Sequence, residues 1–226
     1  QNIRERMAGE QLVLLDFWAS PFCNRVKIAL AEKGLKARER EEDLFGGKSE
    51  LLLKSNPVHQ KVPVFLHNGK PVCESTNIVT YIDETWTSPP LLPTCTYERA
   101  RARFWADFID KKLFDTGGNI WRSTGQEQEA ATKDFIQIVK LLEGTLGDKE
   151  FLSGDKFGFI DIILIPLTSW FYAYETFGGF KVEDHCPKLS AWIKRCSERE
   201  SVAKVLPCPQ KVCELVGMMR KMNGIE

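Results

Sequence analysis

A serine at the start of a predicted helix is the residue whose type and position could do chemistry. It lies in the segment Trp18-Ala19-Ser20-Pro21-Phe22-Cys23, between an apolar run over 12–17 that predicts a buried strand and apolar residues at helical spacing over 26–30. Ser20 followed by Pro21 is typical of a helix cap and a first helical residue, where proline loses no hydrogen bond. A hydroxyl there lies beside backbone N–H groups and the positive end of the helix dipole, which stabilise an anion. Two interpretations therefore stay open, a plain helix cap and a hydroxyl that stabilises a bound anion.

The balance of charges argues against several classes of partner. The 226 residues include 31 Lys and Arg and 31 Asp and Glu, so no net field favours nucleic acid or an anionic membrane surface. No apolar stretch reaches the length of a membrane span, and the polar start lacks the apolar core of a signal peptide. Met7 is interpreted as the natural start, with residues 1–6 as a leader. We expect neither a membrane nor a nucleic acid as partner.

The cysteines and histidines point away from disulfide and metal chemistry. Seven cysteines are scattered without a Cys-x-x-Cys pair, and the three histidines have no metal-ligand spacing with them. An odd, scattered set of thiols is typical of a reducing compartment. We therefore expect a soluble cytoplasmic protein without a metal site.

The first half of the chain alternates short predicted strands and helices, which indicates an α/β domain. Its strongest element is a hairpin, because Asn68-Gly69 supplies the positive φ angles of a tight turn between two apolar runs. In chain order the predicted elements are a strand over 12–17, a helix ending near Gly34, a weak strand over 37–43, a helix over 49–54, the hairpin strands 62–66 and 71–73, and a helix beginning at Ser75. The predicted order is βαβα-ββα.

The second half is separated by a proline-rich linker and is helical throughout. The linker covers 87–93, where the prolines prevent a helix. Pro166 predicts a kink within one long apolar helix. The predicted helices cover 97–115, 127–146, 160–174, 187–196 and 210–222. The fold class is therefore α/β plus all-α, with a first domain over 10–88, a linker over 89–96 and a C-terminal helical bundle over 97–226.

Five sequence blocks carry a family resemblance over residues 8–226. They are LLDFWASPF (14–22), ALAEKG (29–34), NPVHQKVPVFLHNGKPVCES (56–75), RFWADFIDKK (103–112) and YETFG (174–178). On these blocks the chain resembles the glutathione transferases, and closely the plant tau class. The resemblance implies an N-terminal thioredoxin-like domain that binds glutathione, followed by a helical domain that carries most of a hydrophobic substrate site.

The resemblance also implies an activity. An enzyme of this family conjugates the thiolate of glutathione to hydrophobic electrophiles in detoxification and stress response, with glutathione peroxidase as a possible side activity. Glutathione is then a co-substrate, and no other cofactor is implied. The alternative is a non-catalytic carrier (ligandin) of apolar small molecules, which the same cleft could support. The implied assembly is a homodimer, in which Arg99, Arg101 and Arg103 of the helix over 97–115 suit carboxylates of a partner subunit.

The glutathione-binding residues follow from the matching blocks. Ser20 is implied to donate a hydrogen bond to the glutathione sulfur, which favours the thiolate over the thiol. The resemblance implies that the backbone of Val62, before a cis Pro63, pairs with the cysteinyl group. Glu74, in a semi-enclosed site, meets the γ-glutamyl ammonium. The γ-glutamyl carboxylate is bound by Ser75 and its helix, and the glycine carboxylate by Lys61 and by Lys48, in a polar segment that we expect to be mobile.

The hydrophobic substrate site is expected between the two domains. The resemblance assigns it Phe22 and Arg25 from the first domain and, from the second, Phe114, Trp121, Trp170, Leu215 and Met219. The pair Gly117-Gly118, and the flexible side chains of Met218, Met219 and Met222 in the last helix, indicate a roomy or adaptable pocket there. Cys23 is interpreted as a small buried apolar residue, because the attacking thiol of a redox pair is missing. Gly158 is expected to be a tolerable cap for the helix that follows it.

Overall fold

The computed structural model describes residues 11–225, and the predicted leader over 1–6 lies outside them. The chain divides into two compact units, of which the first ends at Pro89 and the second begins at Pro90. No helix in the described part of the chain is long and apolar enough to cross a membrane. Within the same residues, no group of three or more His, Cys, Asp or Glu side chains could hold a metal ion.

The first unit is a four-stranded mixed sheet with three helices. Its elements are β1 (Leu12–Asp16), α1 (Pro21–Glu32), β2 (Arg38–Glu41), α2 (Glu50–Ser55), β3 (Val64–His67), β4 (Lys70–Cys73) and α3 (Ser75–Thr85). The strand order is β2-β1-β3-β4, with β1 and β2 parallel and the other pairs antiparallel. Asn68 and Gly69 have φ angles of 52° and 76°, as the predicted tight turn requires. The weak second strand exists, although all four of its residues are exposed, because it pairs with β1.

The sheet has a different partner on each face. Helix α1 packs against α3, and Leu14 and Phe65, which share the opposite face from Leu15, are fully buried. On the other face Leu15, Val64 and Leu66 form an apolar cluster with Leu52 of α2. The carboxyl end of β1 and the N terminus of α1 are therefore fixed by packing on both sides.

A buried lysine ties the end of the first unit to its helices. The Lys33 ammonium donates to Asp83 Oδ1 at 2.6 Å and to the carbonyl oxygen of Pro89 at 2.5 Å. The Lys33 side chain has no exposed surface, so the pair is shielded from solvent. The peptide bonds Val62–Pro63 and Ser88–Pro89 are both cis, and the first of these was predicted.

The second unit is helical. Its elements are α4 (Thr96–Phe108), a π-helical segment (Ile109–Phe114), α5 (Asp115–Arg122), α6 (Gly125–Leu146), α7 (Phe159–Leu164), a 3₁₀ segment (Ile165–Trp170), α8 (Phe171–Gly178), α9 (Val182–His185), α10 (Pro187–Ser197), α11 (Glu200–Ala203) and α12 (Pro209–Met222). Pro166 divides the predicted helix over 160–174 into α7, the 3₁₀ segment and α8, because proline lacks the N–H that would continue the α-helical ladder.

The N terminus of α7 is capped by a side chain from an upstream turn. Gly158 occupies the cap position and has no side chain to offer, whereas Ser153 Oγ accepts a hydrogen bond from the Ile160 N–H at 3.2 Å. A Cβ atom at Gly158 would lie only 2.9 Å from the Ser153 Cβ. The helix survives with glycine, as predicted, because the serine at 153 stands where a side chain at 158 would otherwise lie.

A buried carboxylate joins the same turn to α7 and α10. Asp161 has no exposed surface and accepts hydrogen bonds from the backbone N–H groups of Leu152, Ser153 and Gly158 at 2.8, 3.1 and 3.1 Å. It also accepts one from Trp192 Nε1 at 2.8 Å. Burial raises the pKa of the Asp161 carboxyl, and hydrogen bonds to the carboxylate oppose that effect.

Candidate active site

Ser20 caps α1 and keeps a hydrogen to donate. Its φ and ψ are −72° and 114°, and its Oγ accepts the Cys23 N–H at 3.2 Å. Its own backbone N–H donates to the Phe17 carbonyl at 2.9 Å, which closes the turn after β1. Because the cap uses only the acceptor side of the hydroxyl, its O–H hydrogen remains for a ligand. The two interpretations left open by the sequence are therefore compatible.

The thiol three residues further on is shielded. Cys23 has no exposed surface, as predicted for a small buried residue. Burial raises the pKa of its thiol, and the negative charge of Asp16 raises it further. Asp16 pairs with Lys27, which also contacts Glu39 Oε2 at 2.9 Å. A protonated, buried thiol is a poor nucleophile.

The segment between β4 and α3 has an unusual backbone. Glu74 has a φ of 69°, which a non-glycine residue adopts only when its surroundings require it. Its side chain makes no cap hydrogen bond, although it precedes the 11-residue helix α3. The carboxylate is 65% exposed and 3.9 Å from His59 Nε2. The Glu74 carboxylate therefore faces solvent, and its predicted place in a semi-enclosed site stays a prediction.

Arg25 donates a hydrogen bond to Ser75 from a buried position. Its Nη1 donates to Ser75 Oγ at 3.1 Å, and its guanidinium carbon lies 4.9 Å from the centroid of the Phe22 ring. Arg25 has no exposed surface, which weighs against its predicted contact with a hydrophobic substrate. Ser75, itself buried, accepts from Arg25 and so keeps its own O–H hydrogen to donate.

The loop before the cis proline is held by one asparagine. The Asn56 side-chain amide donates to the Lys61 carbonyl at 2.9 Å and accepts the His59 N–H at 3.2 Å. Val62 is half-buried, while Lys61 is exposed. The sequence analysis missed Asn56, which the Asn-Pro dipeptide at 56–57 marks as a turn residue.

The loop that carries Lys48 is braced at both ends. Glu42 is 3% exposed and accepts the Ser49 O–H at 2.8 Å and the Ser49 N–H at 3.1 Å. Asp43 Oδ1 accepts the N–H groups of residues 45 and 46 at 3.0 and 2.7 Å. Lys48 itself is exposed. The expectation of a mobile segment is at odds with these four bonds, which polar composition alone could not predict.

The residues predicted for a hydrophobic substrate differ in accessibility. Phe22 in the first unit, and Phe114 and Met219 in the second, keep part of their surface exposed. Trp121, Trp170 and Leu215 are buried. In the second unit, α12 packs against α5, α8 and the 3₁₀ segment. Helix α12 carries Leu215 and Met219, α5 carries Trp121, and the 3₁₀ segment carries Trp170.

An arginine missed by the sequence analysis fixes α12 in place. Arg220 Nη1 donates to the Trp121 carbonyl at 2.6 Å, and its guanidinium carbon lies 4.6 Å from the centroid of the Phe177 ring. Arg220 is 4% exposed, although it lies beside Lys221 in the last turn of α12, where basic residues usually face solvent. It holds the backbone at Trp121 against α12.

The paired glycines of α5 do not leave open space. A Cβ atom at Gly117 would lie 2.4 Å from Cε2 of the Tyr174 ring, and one at Gly118 would lie 2.5 Å from Nη1 of Arg122. The Tyr174 ring therefore fills the space beside Gly117, whereas the neighbour of Gly118 is the end of an exposed Arg122 side chain, and the roomy or adaptable pocket stays a prediction. Burial raises the pKa of the Tyr174 phenol.

Comparison with known proteins gives a consistent match over both units. Residues 10–84 match the N-terminal domain model of the glutathione S-transferases, and residues 105–200 match the C-terminal domain model. The probable glutathione S-transferase parC of Nicotiana tabacum is 57% identical over 222 residues, covering 97% of this chain and all of that protein. Glutathione S-transferase U19 of Arabidopsis thaliana is 57% identical over 216 residues, covering 95% of this chain and 98% of that one. The crystal structure of rice GST1 in complex with glutathione has a TM-score of 0.91 and 51% identity, covering 94% of this chain and 97% of that chain.

Proposed function

The chain belongs to the glutathione S-transferase family, and from that membership we infer that it is a glutathione transferase of the plant tau class. It is an enzyme that joins the thiolate of glutathione to hydrophobic electrophiles. The observation that carries this function is the match to named transferases over nearly the whole length of both chains. The non-catalytic carrier is the less favoured alternative. Glutathione acts as co-substrate, and we propose that no other cofactor takes part.

We propose that Ser20 stabilises the glutathione thiolate. A free thiol has a pKa of about 8.5, and lowering it by about 2 units requires about 3 kcal/mol of preferential thiolate stabilisation. A hydrogen bond from the Ser20 hydroxyl and the N–H groups at the start of α1 supply interactions of the right sign. Ser20 is then neither a nucleophile nor a base. The attacking atom is the glutathione sulfur.

The γ-glutamyl end of glutathione carries opposite charges, and we propose a partner for each. The Glu74 carboxylate meets the ammonium, and its positive φ angle supports a role in binding. The Ser75 hydroxyl and the N terminus of α3 meet the carboxylate. The backbone of Val62, beside the cis bond to Pro63, pairs with the cysteinyl group. The glycine carboxylate is bound by Lys48 and Lys61.

The electrophile is proposed to be an uncharged apolar molecule. The side chains proposed to contact it are Phe22, Phe114, Trp121, Trp170, Leu215 and Met219, all of which are apolar or aromatic. None of them supplies a fixed charge, so a neutral aromatic or aliphatic electrophile fits them. The first unit is then the glutathione-binding domain, and the second carries most of the hydrophobic substrate site.

Turnover of 1-chloro-2,4-dinitrobenzene with glutathione tests the function directly. We expect glutathione-dependent formation of the conjugate, measured by absorbance, together with retention of the protein on immobilised glutathione. Retention without turnover of this or other electrophiles would support the carrier instead. Reduction of an organic hydroperoxide, measured in parallel, tests the peroxidase side activity.

We also propose a cytoplasmic homodimer. All seven cysteines are free, which is compatible with a reducing compartment. Two large side chains on α4, Tyr97 and Phe104, are 68% and 61% exposed and lie two helical turns apart, so they share a face. Large exposed apolar side chains on one helix face are typical of a protein interface.

A further inference from the structure

The loop between β2 and α2, which carries Lys48, is held by more hydrogen bonds than are required to expose a lysine to solvent. An exposed lysine normally loses much side-chain freedom when it binds an anion, so such a pair contributes little. Lys48 stands on a loop whose two ends are joined by the buried Glu42 and by Ser49, at 2.8 and 3.1 Å. Ser49 in turn accepts the Leu52 N–H at 3.1 Å and so begins α2. The backbone beneath Lys48 is therefore fixed to both neighbouring elements.

The interior of the same loop is also fixed. Asp43 Oδ1 binds the N–H groups of Phe45 and Gly46. A Cβ atom at Gly46 would lie 2.3 Å from Asp43 Oδ2, so a larger residue there would displace the carboxylate that binds the loop N–H groups. Glu42, Asp43 and Gly46 together leave the loop little freedom to move before Lys48 is reached.

A ring contact joins this loop to the turn of Ser20. The Phe45 and Phe17 rings meet edge to face with centroids 6.0 Å apart, although Phe45 is 54% exposed. The Phe17 carbonyl accepts the Ser20 N–H at 2.9 Å. An exposed phenylalanine is costly in water, and here it connects the lysine loop to the strand end that bears the catalytic hydroxyl.

We propose that Glu42 and Phe45 are positioning residues that hold Lys48 for the terminal carboxylate of glutathione, so that this loop selects tripeptide thiols with a free C-terminal carboxylate. The inference rests on the proposed function of Lys48. Neither positioning residue touches the ligand. A pre-ordered loop lowers the entropy lost on binding, so its effect is felt in affinity and not in the chemical step.

Glutathione monoethyl ester, in which the glycine carboxylate is blocked, is the probe that isolates this effect. We compare Glu42→Gln and Phe45→Ala with Lys48→Ala, using Glu41→Gln as control, because Glu41 is the adjacent glutamate and is exposed. With free glutathione, each of the three site variants is expected to raise KM about threefold to tenfold with kcat nearly unchanged. With the ester, the same variants and the control are expected to match the unmodified protein.

Non-additivity provides the second readout. Because Glu42 acts through Lys48, the double variant Glu42→Gln/Lys48→Ala is expected to have the KM of Lys48→Ala alone. Equal losses with glutathione and its ester, or additive losses in the double variant, would overturn the proposal and indicate general destabilisation. Equal KM values for the two thiols in the unmodified protein would overturn it as well. Absence of turnover with either thiol in the unmodified protein would instead contradict the proposed function.

Discussion

At the scale of single residues, two hydroxyl groups of the candidate site, those of Ser20 and Ser75, accept hydrogen bonds from the protein itself. Ser20 accepts from the backbone of its own helix, and Ser75 accepts from a buried arginine. A hydroxyl has one hydrogen to donate besides its acceptor lone pairs, so an accepted hydrogen bond does not use up its donor. The proposed binding roles of Ser20 and Ser75 are therefore compatible with the structural hydrogen bonds that they accept.

Replacement of Ser20 tests its effect on the sulfur. We expect Ser20→Ala to lower kcat tenfold or more, while the KM for glutathione changes little, because the hydroxyl acts on the ionised sulfur rather than on the peptide. The pKa of bound glutathione, followed by thiolate absorbance, is expected to rise. An unchanged titration in the variant would exclude the proposed role of Ser20.

Replacement of Glu74 tests a charge that faces solvent. We expect Glu74→Gln to raise the KM for glutathione about threefold to tenfold, since a charge-assisted bond to the ammonium becomes a neutral one. Because the carboxylate is 65% exposed, the difference in KM between this variant and the unmodified protein should shrink as ionic strength increases. The measurement is KM at low and high salt. A difference that does not depend on salt would contradict an ionic role.

At the scale of elements, the sequence pattern predicted those features that depend on interactions between neighbouring residues. The hairpin at Asn68-Gly69 and the cap at Ser20 were predicted because each depends on a few adjacent residues. The rigid loop around Lys48 was not, because it depends on Glu42 and Ser49, which are joined across seven residues. Arg25 was assigned to the electrophile from the family resemblance, and its sequence position carries no information on its burial. Contacts made only after folding could not be predicted from the pattern.

The two glycines Gly117 and Gly144 allow one substitution to be tested in opposite environments. A Cβ atom at Gly117 meets the Tyr174 ring at 2.4 Å, whereas a Cβ at Gly144 in α6 meets nothing within 4 Å. We expect Gly117→Ala to lower the free energy of unfolding by about 1–3 kcal/mol through overpacking. Gly144→Ala is expected to raise it by about 0.5–1 kcal/mol through helix propensity. Denaturant titration measures both, and the same sign in the two variants would contradict this account.

At the scale of the whole molecule, the proposed dimer depends on side chains of α4 that remain exposed when the single chain is folded. One of the three predicted arginines of α4 is less available than expected, since Arg101 Nη1 lies 3.2 Å from Glu98 on its own helix. Apolar contact through Phe104 is therefore the better-supported basis for association. The sequence predicted that this helix takes part, but not which of its side chains remain exposed.

Disruption of that face tests the assembly. We expect the unmodified protein to sediment as a dimer at micromolar concentration and Phe104→Asp to shift it toward monomer, because a buried unpaired charge at an interface is costly. Leu141→Asp is the control, because Leu141 on α6 is also a large exposed apolar residue (56% exposed). This variant should leave the dimer intact. A monomer in the unmodified protein would exclude the homodimer.

The serine that caps α7 from outside the helix has a consequence for the order of folding. Within residues 158–164 Asp161 accepts the Gly158 N–H, but Gly158 has no side chain to cap the N–H groups of the first turn, so this short segment is a weak helix former by itself. The Ser153 hydroxyl and the Leu152 N–H group reach it only when the turn over 151–154 has formed. We therefore expect the turn and the helix to become ordered together, so that a mutation that weakens the Ser153 contact slows folding in proportion to its loss of stability.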